Sequence, residues 1–464
     1  MSLTLSANLQ AATLMKLAPA ENLEEAPATA DVRSARATHN LDLSLLRRFS
    51  GQPFWNTTMK TTISLVTALL SWPSVALPAA PNAAAIRDVA SSAGFTLVVK
   101  ADGSVVGWGR DPDGQAARPV SADRVIPAPI TLDLPGPVRQ VAAGGTTQYA
   151  LLEDGTVVSW GTNDEGQLGN GPMGATGELG RYPKPSITPV RVTGLTDVIQ
   201  IKAGAKHALA LRKDGTVWAW GTRDEGAIGD GVPKTLRPVM AVGPTQMPGL
   251  QDIKQIAAAR QHNLALRSDG KVMAWGQNRD GQLGNGTRDN AWTPVEVAGL
   301  DRVVAIAAGV ASAAGNAFSG AVRDDGSVWM WGSGTSGVMG NGVQNPSPDD
   351  PGGRNLLPVQ VKGLAKAKTL SLGYGHAAAL LEDGTLRMWG HDGYGQIGVG
   401  TSGGYHAKPV PVKGFTSVSA VYLGSMRSFA VRTDGSLWLW GFGSSGGLGV
   451  LSKDRHVPTL MPLP

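Results

Sequence analysis

The chain has 464 residues, a formal net charge of +5, 62 glycines, 30 prolines and no cysteine. That is more chain than one undivided core usually accommodates, and the missing cysteine excludes disulfides, thiol nucleophiles and cysteine-ligated zinc. No stretch gathers five or six adjacent Lys or Arg, so the mild basic excess writes no nucleic-acid footprint.

Residues 1–58 share nothing with the rest of the chain; they are rich in Ala, Thr and Leu and sustain no helical apolar stripe. Residues 59–85 read "MKTTISLVTALLSWPSVALPAAPNAAA", with Lys60, an apolar stretch from Ile63 to Leu70, a break at Pro73 and small residues from Ala76 on. That is the layout of a secretory signal peptide, too short and too interrupted for a good membrane span. The expectation is translation from Met59, with 1–58 an over-extended reading frame. Cleavage then falls between Ala79 and Ala85, and the mature product is secreted or periplasmic. The alternative is a genuine disordered tail followed by a membrane anchor, or a cytoplasmic chain.

From Ile86 on the sequence repeats. The pattern Asp-Gly-x-[Val/Leu]-x-x-Trp-Gly occurs at 102–109, 154–161, 214–221, 269–276, 325–332, 383–390 and 434–441. Successive copies are 52, 60, 55, 56, 58 and 51 residues apart, so one unit is copied while its loops vary. Each unit opens on a small-residue strand such as "IKAG" (201–204), where neighbouring units crowd together. A second strand such as "HALAL" (207–211) leads into Asp-Gly, read as a type I′ hairpin turn. The third strand, "TVWAWG" in the third copy, is apolar on both faces and so predicts a sheet covered on both sides. A fourth strand led by Pro, as in "PVRV" (189–192), has one solvated face and suits a sheet edge. Four strands, crowded at one end and wet at the other, make a propeller blade. The predicted fold is an all-β, seven-bladed β-propeller of four-stranded antiparallel blades over 86–464.

The Gly-rich wording between third and fourth strands, "GQLGNG" at 166–171, then reads as packing. No helix with Lys-Ser/Thr follows it, as a phosphate cradle requires. Its apolar residue (Leu168, Ile228, Leu283, Met339, Ile397 or Leu448) plugs the gap between blades. The tryptophans Trp108, Trp160, Trp220, Trp275, Trp331, Trp389 and Trp440 are the structural residues of the repeat. Ile86 starts the first blade and 457–463 fills the edge slot of the last. The two ends are expected to meet, with one of them supplying a strand to a shared blade.

Ala-Ala-Gly, His-x-Leu-Ala-Leu, Asp-Gly-x-Val-x-x-Trp-Gly and Gly-Gln-Leu-Gly together resemble the regulator of chromosome condensation repeat. The resemblance covers 86–464 and implies a seven-bladed ring. The first repeat departs from it: "GQAARP" (114–119) stands at the Gly-Gln-Leu-Gly position, and Phe95 fills the His slot.

No catalytic, cofactor-binding or metal-binding residue is expected. The repeated Asp sits in a turn. His207, His262 and His376 belong to the template, since Thr147 and Arg427 replace them elsewhere, and a structural hydrogen bond is their expected role. His391 and His406 lack ligand spacing. Template departures are the better pointers: the 171–186, 343–353 and 402–408 excursions, and a longer approach to the fifth hairpin (16 positions from Gly309 to Asp325, against 10 from Gly204 to Asp214). Tyr182, Phe318, Tyr394 and Tyr405 are the candidate partner-binding aromatics, with covering of blade edges as the alternative role.

The expected function is a monomeric, non-enzymatic protein-binding scaffold, secreted or envelope-associated, whose partner is another protein. The resemblance also implies two other readings: a guanine-nucleotide exchange factor for a small GTPase, and an inhibitor of a secreted enzyme such as a β-lactamase.

Overall fold

In a computed structural model of the chain, the described residues are 85–464 apart from 93, 121, 173–175, 178–183, 233–239, 311–316, 344–352 and 450–452. The proposed leader and the segment before it therefore lie outside the described residues, except for Ala85.

Seven antiparallel sheets follow one another in chain order, each with its four strands in sequence. Blade 3 is representative: Val198–Ala203, His207–Arg212, Val217–Thr222 and Met240–Gln246 run from the channel to the rim. It carries a fifth, two-residue strand, Thr176–Gly177, contributed by the long excursion of the second repeat. The outermost strands begin before their prolines. In Ser186–Arg191 the partner register slips beside Pro189, so the residue without an N–H sits at an irregularity on an edge.

The Asp-Gly hairpins differ from the expected type I′ turn. Gly103 N–H donates to the Lys100 carbonyl at 3.0 Å and Lys100 N–H to the Ser104 carbonyl at 2.9 Å, a type I turn closed by a glycine bulge. Only the glycine is left-handed, with φ of 83°. The aspartate instead bends back on its own loop: Asp102 Oδ1 accepts the Ser104 N–H at 2.9 Å and hydroxyl at 2.7 Å. That local Asx bond offsets the need for a second left-handed residue.

All seven repeat tryptophans are fully buried. Each indole N–H reaches the carbonyl at the second position of the preceding blade's Gly-Gln-Leu-Gly segment. Trp160 donates to Gln115 (2.8 Å), Trp220 to Gln167 (2.9 Å), Trp275 to Ala227 (3.2 Å), Trp331 to Gln282 (2.9 Å), Trp389 to Val338 (2.7 Å) and Trp440 to Gln396 (2.9 Å). Trp108 closes the circle on Gly447 at 3.2 Å. The plug residues Leu168, Ile228, Leu283, Met339, Ile397 and Leu448 are buried beside these contacts. Blade 1 keeps the same geometry with Ala116 as plug and Ala117 held at φ of 55°, a conformation that disfavours any side chain.

The ring closes without a shared blade, which corrects the sequence expectation. Blade 1 (Ile86–Ser92, Phe95–Lys100, Val105–Arg110, Val125–Thr131) and blade 7 (Val418–Leu423, Arg427–Arg432, Leu437–Gly441, Arg455–Leu460) are each built from consecutive strands. Side chains do the closing: Phe95, Trp108, Phe429, Leu439 and Met461 form one continuous core across the seam, and Tyr422 Oη donates to the Arg87 carbonyl at 3.2 Å. A complete four-stranded sheet at each end leaves no strand vacancy to fill.

The three template histidines tie each blade to the next. His207 Nε2 lies 2.7 Å from Asn263 Oδ1, whose Nδ2 donates to the Ala227 carbonyl at 2.8 Å. His262 Nε2 lies 2.9 Å from Ser319 Oγ, which donates to the Gln282 carbonyl. Both partners are thereby acceptors, so each imidazole is neutral with its proton on Nε2, and each Nδ1 is buried without a partner. Burial holds His207 and His376 down to about 4 and His262 to about 3, from 6.5. The unfolded chain therefore takes up protons that the folded one refuses, and stability falls as pH drops below 6.5 toward 4. Each histidine contributes up to about 1.4 kcal/mol per pH unit. Asp88, pushed up to about 6 by burial, works in the opposite direction and offsets about one of the three. Urea midpoints measured from pH 7 to 4.5 are expected to fall steeply below pH 6. Copying blade 2 into blade 3 with His207→Thr and Asn263→Ala should flatten the slope; an unchanged slope would refute the assignment.

Candidate protein-binding site

The strand order gives the ring two unlike faces. One carries the Asp-Gly hairpins. The other carries the short connections between first and second strands and the Gly-rich segments between third and fourth. On this second face, at blades 6 and 7, aromatic and imidazole rings meet.

The residue after Trp-Gly is Arg110, Thr162, Thr222, Gln277, Ser333, His391 and Phe442 in blades 1 to 7. Blades 6 and 7 thus place rings where most others place polar groups. The Phe442 ring stands 4.7 Å edge-on from Tyr394, Tyr394 lies 6.3 Å from His391, and His391 lies 5.9 Å from Tyr405. Tyr405 begins the outermost strand of blade 6, Tyr405–Pro411, and is 45% exposed, while Tyr394 and Phe442 are half-buried.

The cluster stands on a fixed base. Gln396 Nε2 donates to His391 Nδ1 at 2.7 Å, and Tyr394 N–H donates to Gln396 Oε1 at 2.9 Å. Burial keeps the His391 imidazole below its ordinary pKa. Asp392, fully buried, accepts the Ile397 N–H at 3.0 Å and faces His406 Nε2 at 3.3 Å. Burial raises its carboxyl above the usual range. On the blade 7 side the Arg427 guanidinium lies 5.5 Å from the Phe442 ring and donates to its carbonyl at 2.8 Å. Locked rings with an exposed edge can anchor an apolar or aromatic side chain at low entropic cost.

The structure brings Tyr394 and Tyr405 together. Tyr182 lies outside the described residues. Phe318 is corrected: it is no loop anchor but a fully buried residue of the second strand of blade 5, Ala317–Arg323, paired with Gly332. It occupies the slot that His207 fills in blade 3 opposite Gly221. Counting seven residues back from Asp325 would have placed it there, because the longer approach to that hairpin precedes the slot. His391 and Phe442 were missed; aligning the position after each Trp-Gly was the signal. Among the described residues no three of His, Cys, Asp and Glu converge as metal ligands. The hairpin carboxylates of Asp102, Asp154, Asp214, Asp325, Asp383 and Asp434 sit below their usual range because the Ser or Thr two residues on donates to each.

Seven four-stranded blades stapled by repeat tryptophans define a seven-bladed propeller of repeat type, with a ring cluster on the face opposite the hairpins. The chain belongs to the RCC1-like family: the model of the RCC1-like domain matches residues 58–313, and the regulator of chromosome condensation (RCC1) repeat matches 325–380 and 367–396. The ultraviolet-B receptor UVR8 of Arabidopsis thaliana is 30% identical over 323 residues, 68% of each chain. The E3 ubiquitin-protein ligase HERC2 of Homo sapiens is 27% identical over 372 residues, which are 76% of this chain but 7% of that protein. The crystal structure of Prp20p from Saccharomyces cerevisiae shares the fold with a TM-score of 0.66 at 23% identity, over 79% of this chain and 87% of that one.

Proposed function

We propose that this propeller is a non-enzymatic protein-binding module that engages its partner through the blade 6–7 ring cluster. The observation that carries the reading is Tyr405, exposed at the end of a stack of rings whose base is buried and hydrogen-bonded. One similar protein supports the class: Prp20p of Saccharomyces cerevisiae has been described for its binding to Gsp1p and histones and, as yeast RCC1 (Prp20), bound to Kap60. The leader-like segment 59–85 motivates an exported protein. In that setting the partner is an extracellular or envelope protein, with a secreted enzyme held in check as one form. A small GTPase is the partner in the exchange-factor reading, which the resemblance to the regulator of chromosome condensation repeat implies.

N-terminal sequencing and fractionation from the native host separate the two settings: a mature chain beginning near residue 80 outside the cytosol supports export, an intact cytosolic Met1 product refutes it. Partner capture by the wild type and by Tyr394→Ala/Tyr405→Ala tests the site. The double variant should bind about tenfold or more weakly with little change in its melting temperature. If it melts early and still binds, the rings cover the blade edge and the site is wrong. Accelerated nucleotide release from a captured GTPase would convert the module into an exchange factor.

A further inference from the structure

The opposite face carries a second, independent feature. The second residue of each innermost strand points to the rim of the channel on the hairpin side, and in blades 1 to 7 these are Arg87, Arg139, Ile199, Lys254, Val304, Lys368 and Ser419, all exposed. Between blades 1 and 4 the mouth widens into a cavity of about 290 Å³ lined by Arg87, Arg139, Lys254, Gln140 and Gln200 among others. Lys202 lines the channel deeper in.

We propose that this mouth binds a small polyvalent oxyanion of triphosphate or tricarboxylate size. Three observations point to it. First, five cations around the hairpins are neutralised locally: Arg212 by Asp197 and Asp214, Arg267 by Asp269, Arg302 by Asp324, Arg323 by Asp301 and Lys271 by Glu296. At the mouth, Arg87 pairs with Glu153, whereas Arg139 and Lys254 have no ion pair among the described residues and Lys202 has only the Asp88 carboxylate as a charged neighbour. Unneutralised like charges converging on a concavity repel one another, and an anion between them relieves that repulsion.

Second, neutral amides line the mouth: Gln140 and Gln200. Gln140 Oε1 accepts the Ile201 N–H and Gln200 Oε1 the Ile256 N–H, both at 2.8 Å. With each amide oxygen committed to the next blade, the Nε2 groups remain as donors, and an arginine fork beside them suits phosphate or carboxylate oxygens.

Third, Asp88, the carboxylate lining the cavity, is itself tied up. It accepts the Val141 N–H at 3.0 Å, with Lys202 and Tyr422 as its charged and titratable neighbours. Burial raises it to about 6, so its opposing charge weakens toward mildly acidic pH.

Calorimetric titration of the full chain with inorganic triphosphate at low ionic strength tests the site, with citrate as the parallel arm to separate phosphate from carboxylate recognition. One saturable site per chain is expected for at least one of the two. Arg139→Ala/Lys254→Ala should weaken it about tenfold or more, and Asp88→Asn should tighten it severalfold. Arg212→Ala/Arg267→Ala, which removes two paired hairpin cations, should leave it unchanged. Absence of saturable binding to both anions overturns the proposal, as does equal weakening in the two double variants, which would mark a general field effect. Binding of pentaglutamate with neither small anion bound also overturns it, in favour of an acidic peptide. None of these outcomes bears on the ring cluster of the other face.

Discussion

Trp220→Ala is expected to destabilise the propeller by about 3–5 kcal/mol, the range for deleting a fully buried aromatic side chain. The indole is 0% exposed, packs edge-on against Tyr149 of the preceding blade with ring centroids 6.1 Å apart, and donates to Gln167. Removing it empties a blade interface and takes one of two donors from the Gln167 carbonyl, which keeps the Tyr149 hydroxyl at 2.8 Å. Trp218, two residues earlier on the same face of the strand but toward its hairpin end, is only partly buried and donates to Thr216 within its own hairpin. Trp218→Ala should therefore cost about 1 kcal/mol. Urea unfolding of the two variants, read as the shift in midpoint at constant slope, makes the comparison. Equal losses would mean that the interface staple is not what holds adjacent blades.

The second large effect lies at the seam. In blade 7 the Gly-Gln-Leu-Gly segment reads Gly446-Gly447-Leu448-Gly449, and the His slot holds Arg427. In blades 1, 2, 4 and 6 the Gln side chain folds back to accept an N–H two residues earlier, as Gln167 does from Glu165 at 2.7 Å. In blade 7 the Arg427 guanidinium occupies that volume: a Cβ on Gly447 would stand 1.8 Å from its Nη2. The guanidinium is held by the Phe442 carbonyl at 2.8 Å, and burial pulls its pKa down to about 10. Restoring glutamine alone, Gly447→Gln, forces two groups into one space and should cost about 2–4 kcal/mol, as should Arg427→His alone, which leaves the guanidinium's space unfilled. The double change Arg427→His/Gly447→Gln returns the seam to the template, with Thr96 of blade 1 in the place of Ser319, which faces His262, and Ser428, whose Oγ lies 3.2 Å from His376 Nε2. It should recover about 1–3 kcal/mol relative to the sum of the singles. A thermal-melt double-mutant cycle checks this, and strictly additive losses would show that the two sites do not share a volume.

The repeat itself was legible because a blade is a local object. Its four strands are consecutive, so an apolar period, an Asp-Gly turn and a Trp-Gly terminus within some 50 to 60 residues carry enough information to define it. The burial of Trp108 through Trp440 and of the plug residues comes from the same pattern. What the linear pattern does not carry is which atoms of neighbouring blades meet. The Trp-to-carbonyl staple, the His207–Asn263 and His262–Ser319 links and the Arg427–Gly447 exchange each join residues tens of positions apart or on different strands. They exist only once the strands and blades lie against one another. The same limit misplaced Phe318, where an aromatic near a variable stretch read as a loop anchor although its pairing with Gly332 buries it. Ring closure was decided at the same level: both ends already hold complete sheets, so side-chain packing, not strand exchange, joins them. The sequence alone thus determined the blade, because backbone hydrogen bonding and turn chemistry act between near neighbours. The tertiary structure alone decided the seam, the ring cluster and the charged mouth, because each is assembled from side chains that different blades bring to one place.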